Sequence, residues 1–175
     1  MKNEILVVVD MQNDFITGSL GSQEAKGIVE NVVNFVSDFQ GKVFFTRDTH
    51  EANYLETQEG KKIPVEHCIR GTKGWEICSE LQEFTKEAVI VDKPAFGSME
   101  LAEKIKLLNK EQEITKIILM GLCTDICVIS NAMILKASMP EVPIQIVESC
   151  CAGVSVETHK NALEAMISAN QSREA

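Results

Sequence analysis

Short apolar runs recur along the chain: ILVVVD (5–10), KVFFTRD (42–48), AVIVDK (88–93), KIILMG (116–121) and IQIVES (144–149). Each is rich in branched side chains and nearly continuous, not alternating. That is the pattern of strands covered on both faces, as in a parallel sheet. Between them lie segments with helical periodicity. EAKGIVENVVNFVSDF (24–39) puts Ile28, Val32, Phe35 and Val36 on one stripe, and SMELAEKIKLLN (98–109) does so with Leu101, Ile105 and Leu108. DICVISNAMILKAS (125–138) and VETHKNALEAMISAN (156–170) continue the alternation, the last with Ser155 or Thr158 available as a cap. Strand and helix in turn predict a three-layer α/β/α sandwich around a mostly parallel sheet of five to six strands. A chain of 175 residues without repeat or linker reads as one domain over 1–175.

One connection breaks the rhythm. About forty residues separate Asp48 from the next strand, and a connection of that length in a compact domain is more often functional than idle.

Open α/β sheets bind ligands at the carboxyl ends of their strands. The first run ends in Asp10, the third in Lys93, and the fourth leads into the loop holding Cys127. Each has a bland reading: a turn cap, a surface lysine before Pro94, a packed thiol. Three such residues at strand ends form a chemically coherent set. A thiol becomes a nucleophile as its thiolate, which a helix N-terminus and a nearby ammonium favour. Asp10 could take the thiol proton and return a proton to a leaving group. Backbone N–H groups around Cys123 and Cys127 are natural donors to an oxyanion.

Charge and cysteine usage narrow the partners. A net charge of -9 argues against nucleic acid or an anionic membrane surface. The apolar N-terminal run is too short to span a bilayer, and no signal-peptide cleavage pattern follows it, so a cytoplasmic protein is expected. The six cysteines lack paired CxxC spacing and read as free thiols, most of them small core residues. Cys123 and Cys127, four apart, could instead form a redox pair, although CxxxC is not a thioredoxin-type spacing.

VVVDMQNDF (7–15), FTRDTH (45–50), EHCIRGTKGWE (66–76), VDKPAFGS (91–98), GLCTDICV (121–128) and ESCCAGVSVETHKNAL (148–163) together resemble the nicotinamidase/isochorismatase-like cysteine hydrolases. The resemblance implies a catalytic triad of Asp10, Lys93 and Cys127, a cis peptide bond between Leu122 and Cys123, and an oxyanion hole from the Cys123 and Cys127 N–H groups. It also gives the long connection a meaning. Asp48, His50 and His67 match the metal ligands of the nicotinamidase branch, with a fourth ligand that varies; Glu56 is the choice here. Two histidines and carboxylates suit zinc, iron or manganese. The bland alternative leaves both histidines as exposed loop residues, and His159 reads as surface.

The implied function is a cysteine-dependent amidohydrolase, nicotinamide plus water giving nicotinate plus ammonia through a thioester, with a role in NAD salvage. The implied partners are a small-molecule amide and further copies of the chain in a homo-oligomer. The sequence departs from the branch after the catalytic lysine and before the second histidine, where relatives carry aromatic residues. Phe15, Tyr54 and Phe96 are the candidates for the missing pocket wall. Alternatives are another small amide as substrate, or a non-catalytic binding module.

Overall fold

The computed structural model describes residues 3–174. Six strands form one sheet: β1 (Glu4–Val9), β2 (Lys42–Asp48), β3 (Val89–Lys93), β4 (Lys116–Leu122), β5 (Ile144–Ala152) and β6 (Ser172–Glu174). Their order is β3-β2-β1-β4-β5-β6, and every neighbouring pair is parallel. The central strands explain their own composition. Leu6, Val7, Val8 and Val9 on β1 are wholly buried, because both faces of the sheet are covered. Each such side chain contributes about 1.5–3 kcal/mol when fully removed from water.

The helices are α1 (Asn13–Ile16), α2 (Gln23–Gly27), α3 (Val29–Asp38), α4 (Gln58–Lys62), α5 (Met99–Glu111), α6 (Ile129–Ser138) and α7 (Val156–Ser168). On one face α3 packs beside the 3₁₀ segment Ser79–Lys86, and on the other α5, α6 and α7 lie side by side. The helix expected over 24–39 is broken at Ile28, which caps the end of α2 and begins α3. The helix expected from 125 begins as a π turn, Thr124–Val128, before regular α6. At α7, Ser155 is the cap, and its side chain and Thr158 form a reciprocal capping box.

The chain leaves β1 toward β2 and β3 on one side, and leaves β4 toward β5 and β6 on the other. The switch in direction falls between β1 and β4, the place where such sheets open a crevice. Close approach there depends on Gly121: φ is +118°, and a Cβ would sit 2.1 Å from the Val9 carbonyl oxygen. Among the described residues no helix is long and apolar enough to cross a membrane.

Candidate active site

Asp10 follows β1 with φ 47°, a left-handed conformation that aspartate tolerates better than most side chains. The turn is held by Thr46 on β2. The Asp10 N–H donates to the Thr46 carbonyl at 3.2 Å, and the Thr46 hydroxyl donates to Asp10 Oδ1 at 2.6 Å. Lys93 ends β3 in register with Asp48 at the end of β2. It is fully buried, an expensive place for an ammonium without partners. Its Nζ lies 2.6 Å from Asp10 Oδ2 and 3.4 Å from Asp48 Oδ1, and donates to the Ala95 carbonyl at 3.1 Å and to Cys127 Sγ at 3.4 Å. The structure therefore brings Asp10, Lys93 and Cys127 together from three strand ends.

Burial sets the electrostatics. It raises the Asp10 carboxyl above its usual range, against the lowering effect of Lys93. Burial would by itself strip the Lys93 proton, but Asp10, Cys127 and Asp48 reverse that and keep it charged. Burial, reinforced by Asp10, pushes the Cys127 thiol well above its ordinary value, with Lys93 opposing. Burial thus works against the help that the helix start and Lys93 give to the thiolate, and makes a neighbouring proton acceptor the more important. The Asp10–Lys93 contact at Oδ2 is a short, fully buried ion pair.

Cys127 sits in the π turn that follows β4. The Leu122–Cys123 peptide bond is cis. The N–H groups of Ile126 and Val128 both donate to the Cys123 carbonyl. Asn131, buried one turn further on, donates to the Cys127 carbonyl at 2.8 Å and the Phe96 carbonyl at 3.2 Å, and accepts from the Ser98 N–H at 2.9 Å. One amide thereby joins the Cys127 backbone to the loop after Lys93.

The long connection folds back onto this edge. Asp48, His50, Glu59 and His67 each offer a ligand atom, all within 4.8 Å of one another. His50 Nε2 is 3.0 Å and His67 Nε2 3.6 Å from Asp48 Oδ2, and both lie near Glu59 Oε1, at 3.6 and 3.7 Å. The His67 Nδ1–H donates to the Val65 carbonyl at 2.8 Å, an arrangement that leaves Nε2 as the free lone pair a metal needs. Burial pushes the Asp48 carboxyl up, but the neighbouring His50 and His67 side chains and the Lys93 charge outweigh it and hold it below the usual carboxylate range. Burial likewise raises Glu59, and Asp48 raises it further. Two imidazoles and two carboxylates crowded this closely, with no cation of their own beyond Lys93, fit a divalent ion.

Three expectations need correction. Glu56 is exposed and stands outside this group; Glu59 takes its place. The reason is local: the 3₁₀ turn Tyr54–Glu56 ends at Thr57, whose side chain caps α4 and turns Glu59 inward. Tyr54 is a buried support and not a pocket wall. Its ring lies 4.6 Å from that of His50 and 5.0 Å from that of His67, and its hydroxyl donates to the Ile63 carbonyl. His159 is half-buried and shares a 2.8 Å hydrogen bond with Thr124.

A cavity of about 520 Å³ is lined by Cys123 and Cys127 together with Asp48, Glu59 and His67. Phe15 and Phe96 line it, and Leu20, Ile63, Ile126 and Val154 complete an otherwise aliphatic wall. Its size falls within the roughly 300–1,000 Å³ typical of small-molecule sites. A wider groove of about 880 Å³, between α3 and β5, holds none of these groups.

Several residues that build the site were not singled out by the sequence. Thr46 and Gln12 are fully buried polar residues inside or beside apolar runs, and that mismatch is their only sequence signal. Gln12 clamps β2 in place: it donates to the Asp48 and Trp75 carbonyls and accepts from the Asp48 N–H.

Residues 4–172 match the isochorismatase domain family model. The nicotinamidase of Escherichia coli (strain K12) is 26% identical, over 93% of this chain and 89% of that protein. The crystal structure of the pyrazinamidase of Pyrococcus horikoshii in complex with zinc superposes with a TM-score of 0.82 at 26% identity, covering 98% of both chains. The nicotinamidase/pyrazinamidase of Bacillus subtilis gives 0.84 at 26% identity, covering 99% of this chain and 100% of that one. With its parallel sheet, its strand-end triad and a family match across nearly its whole length, this chain belongs to the isochorismatase-domain family of hydrolases.

Proposed function

We propose that the protein is a cysteine amidohydrolase whose substrate is nicotinamide, releasing nicotinate and ammonia. The observation that carries this reading is a single cavity lined by Cys127, which Lys93 and Asp10 back from beneath, and by Asp48, Glu59 and His67 of the four-residue group that His50 completes. Asp10 takes the Cys127 proton at Oδ2 as the thiol adds to the carboxamide carbon. Lys93, 3.4 Å from the sulfur, holds the developing thiolate. The Cys123 and Cys127 N–H groups receive the oxyanion. Asp10 then gives its proton to the departing nitrogen, ammonia leaves, and a thioester remains. Asp10 draws a proton from water in the second half, the thioester opens, and the acid departs. Asp48, His50, Glu59 and His67 would hold a zinc, iron or manganese ion, which supplies a Lewis-acidic anchor for the ring nitrogen of the substrate.

Formation of nicotinate would place the enzyme in the return of the pyridine ring to NAD; a cytoplasmic homo-oligomer is part of the same proposal. The test is ammonia release from nicotinamide by wild type and by Cys127→Ala. Equal release by the variant removes Cys127 as nucleophile. The aliphatic wall of Leu20, Ile63, Ile126 and Val154 favours a second reading, another small amide at the same triad. Turnover of an aliphatic amide in preference to nicotinamide would select it.

A further inference from the structure

Thr124 lies between Cys123 and the turn that carries Cys127, and it is completely buried. Its carbonyl accepts from the Ile129 N–H, which commits its backbone to the π turn. Its hydroxyl meets His159 Nδ1 at 2.8 Å, thirty-five residues away in sequence. His159 stands in the first turn of α7, a helix start fixed by the Ser155–Thr158 capping box. The next residue of the turn is tied to the same place: the Val154 N–H donates to Asp125 Oδ1 at 3.0 Å. Between the two ties lies Gly153, where a Cβ would come within 2.9 Å of His159 Cβ and 3.0 Å of Asp125 Oδ1. Two successive residues of the nucleophile turn are thus fastened to the start of α7 at a spacing that glycine permits.

We propose that His159 is a positioning residue for hydrolysis: through the Thr124 hydroxyl it fixes the turn whose Cys123 and Cys127 N–H groups face the reacting carbonyl. The inference rests on the amidohydrolase reading above, and it adds a residue that touches neither substrate nor triad. The Cys123 N–H lies in the peptide plane before Cys123 and the Cys127 N–H in the plane before Cys127, and Thr124 is the buried anchor of the backbone that joins those two planes. Losing the His159 contact leaves a buried hydroxyl unpartnered and allows those planes to rotate. Donors that stabilise an oxyanion act only when held in place beforehand, so a small rotation costs rate and leaves ground-state binding nearly unchanged.

The test compares wild type, His159→Ala, His159→Asn, Thr124→Val and the double variant His159→Ala/Thr124→Val. The amide of asparagine can stand where Nδ1 stands. In steady-state ammonia release, His159→Ala is expected to lose roughly ten- to a hundredfold in kcat, the scale of a misplaced catalytic geometry, with KM within about twofold. His159→Asn recovers most of the loss, and the double variant is no worse than the poorer single variant because both remove one contact. A second arm does not depend on nicotinamide. Acyl transfer from p-nitrophenyl acetate to Cys127 is read as the burst of p-nitrophenolate, with Cys127→Ala as the blank. The same ranking of variants is expected in the burst rate. Wild type that gives a Cys127-dependent burst but no turnover of nicotinamide would fail the substrate reading, and the burst ranking would still decide the role of His159. An unchanged kcat and burst in His159→Ala, or full additivity in the double variant, overturns the proposal.

Discussion

The Lys93 ammonium lies 2.6 Å from Asp10 Oδ2, and neither side chain has any exposure to solvent. Breaking a buried ion pair by removing one partner costs about 3–5 kcal/mol, because the other charge is left without compensation. Lys93→Met is therefore expected to lose about that much in urea denaturation. It also loses catalysis, on the order of 10⁴ in kcat, since the triad acts as a unit. Adding Asp10→Asn to Lys93→Met removes the orphaned charge and should restore part of the stability without restoring activity. A double variant less stable than Lys93→Met would show that the pair is not the source of the loss.

Thr46 bears on the Asp10 carboxyl, the base of the proposed reaction. Its hydroxyl donates to Asp10 Oδ1 at 2.6 Å, and that bond favours the ionised carboxylate. Burial has already raised the Asp10 carboxyl, and Thr46 is one of the groups that opposes it, alongside Lys93. Thr46→Val keeps the shape and removes the bond, so the carboxyl rises further. Activity that needs ionised Asp10 then falls off at a higher pH. The acid limb of the kcat/KM profile should move upward in Thr46→Val, while the wild-type limb stays lower; a limb that moves downward or stays fixed contradicts this role.

Glu59 and Glu56 separate the metal assignment cleanly, since they are three residues apart and only Glu59 joins Asp48, His50 and His67. Glu59→Gln should reduce metal content after dialysis against a limiting chelator, by about 10- to 100-fold in affinity. Glu56→Gln should retain it. Because a bound ion stabilises only the folded chain, chelation should also lower Tm in wild type more than in Glu59→Gln.

The sheet and the meeting of Asp10, Lys93 and Cys127 were legible because they depend on local pattern. Continuous branched runs mark buried parallel strands, and Asp10, Lys93 and Cys127 follow from where those runs end. Asp48, His50 and His67 were legible as a motif. Glu59 was not, because a 3₁₀ turn followed by a new cap at Thr57 rotates the chain between two glutamates of equal promise. The break at Ile28 was hidden because α2 and α3 share one apolar stripe. The opposing effect of burial on the Cys127 thiol was not legible, because local charges can be read from the sequence and burial cannot. His159 was hidden by distance: its partner is Thr124, and nothing in the periodicity of α7 points there.

Asn131 offers a test of the packing behind the nucleophile. It is buried, and it satisfies the Cys127 carbonyl and the Ser98 N–H at once. Asn131→Ala leaves both without this partner and opens a small cavity. Leaving buried polar groups unsatisfied costs about 1–3 kcal/mol each, and a domain of this size loses roughly 2–4 °C in Tm per kcal/mol. A fall of about 5–10 °C is expected by calorimetry. A variant as stable as wild type would mean that water replaces the amide.

His159 also makes stability depend on pH with a definite sign. Burial is the largest influence on the ring and lowers its pKa below the ordinary 6.5; Glu148 on β5 and Asp125 in the nucleophile turn oppose that, and Lys160 on α7 reinforces it. The folded chain thus holds this proton less tightly than the unfolded chain does. Between the lowered folded value and 6.5 the unfolded state binds more protons, so stability rises with pH through that window and is lost as pH falls through it. His159→Asn keeps a hydrogen-bonding partner for Thr124 and cannot titrate. Wild type should be the more stable protein at pH 7.5, and its advantage should shrink as the pH is lowered below about 6.5. Paired Tm measurements of the two proteins at the same series of pH values isolate His159, because the other histidines contribute equally to both. A wild-type advantage that grows on acidification would mean that the ring binds its proton more tightly when folded, and the lowered pKa would be wrong.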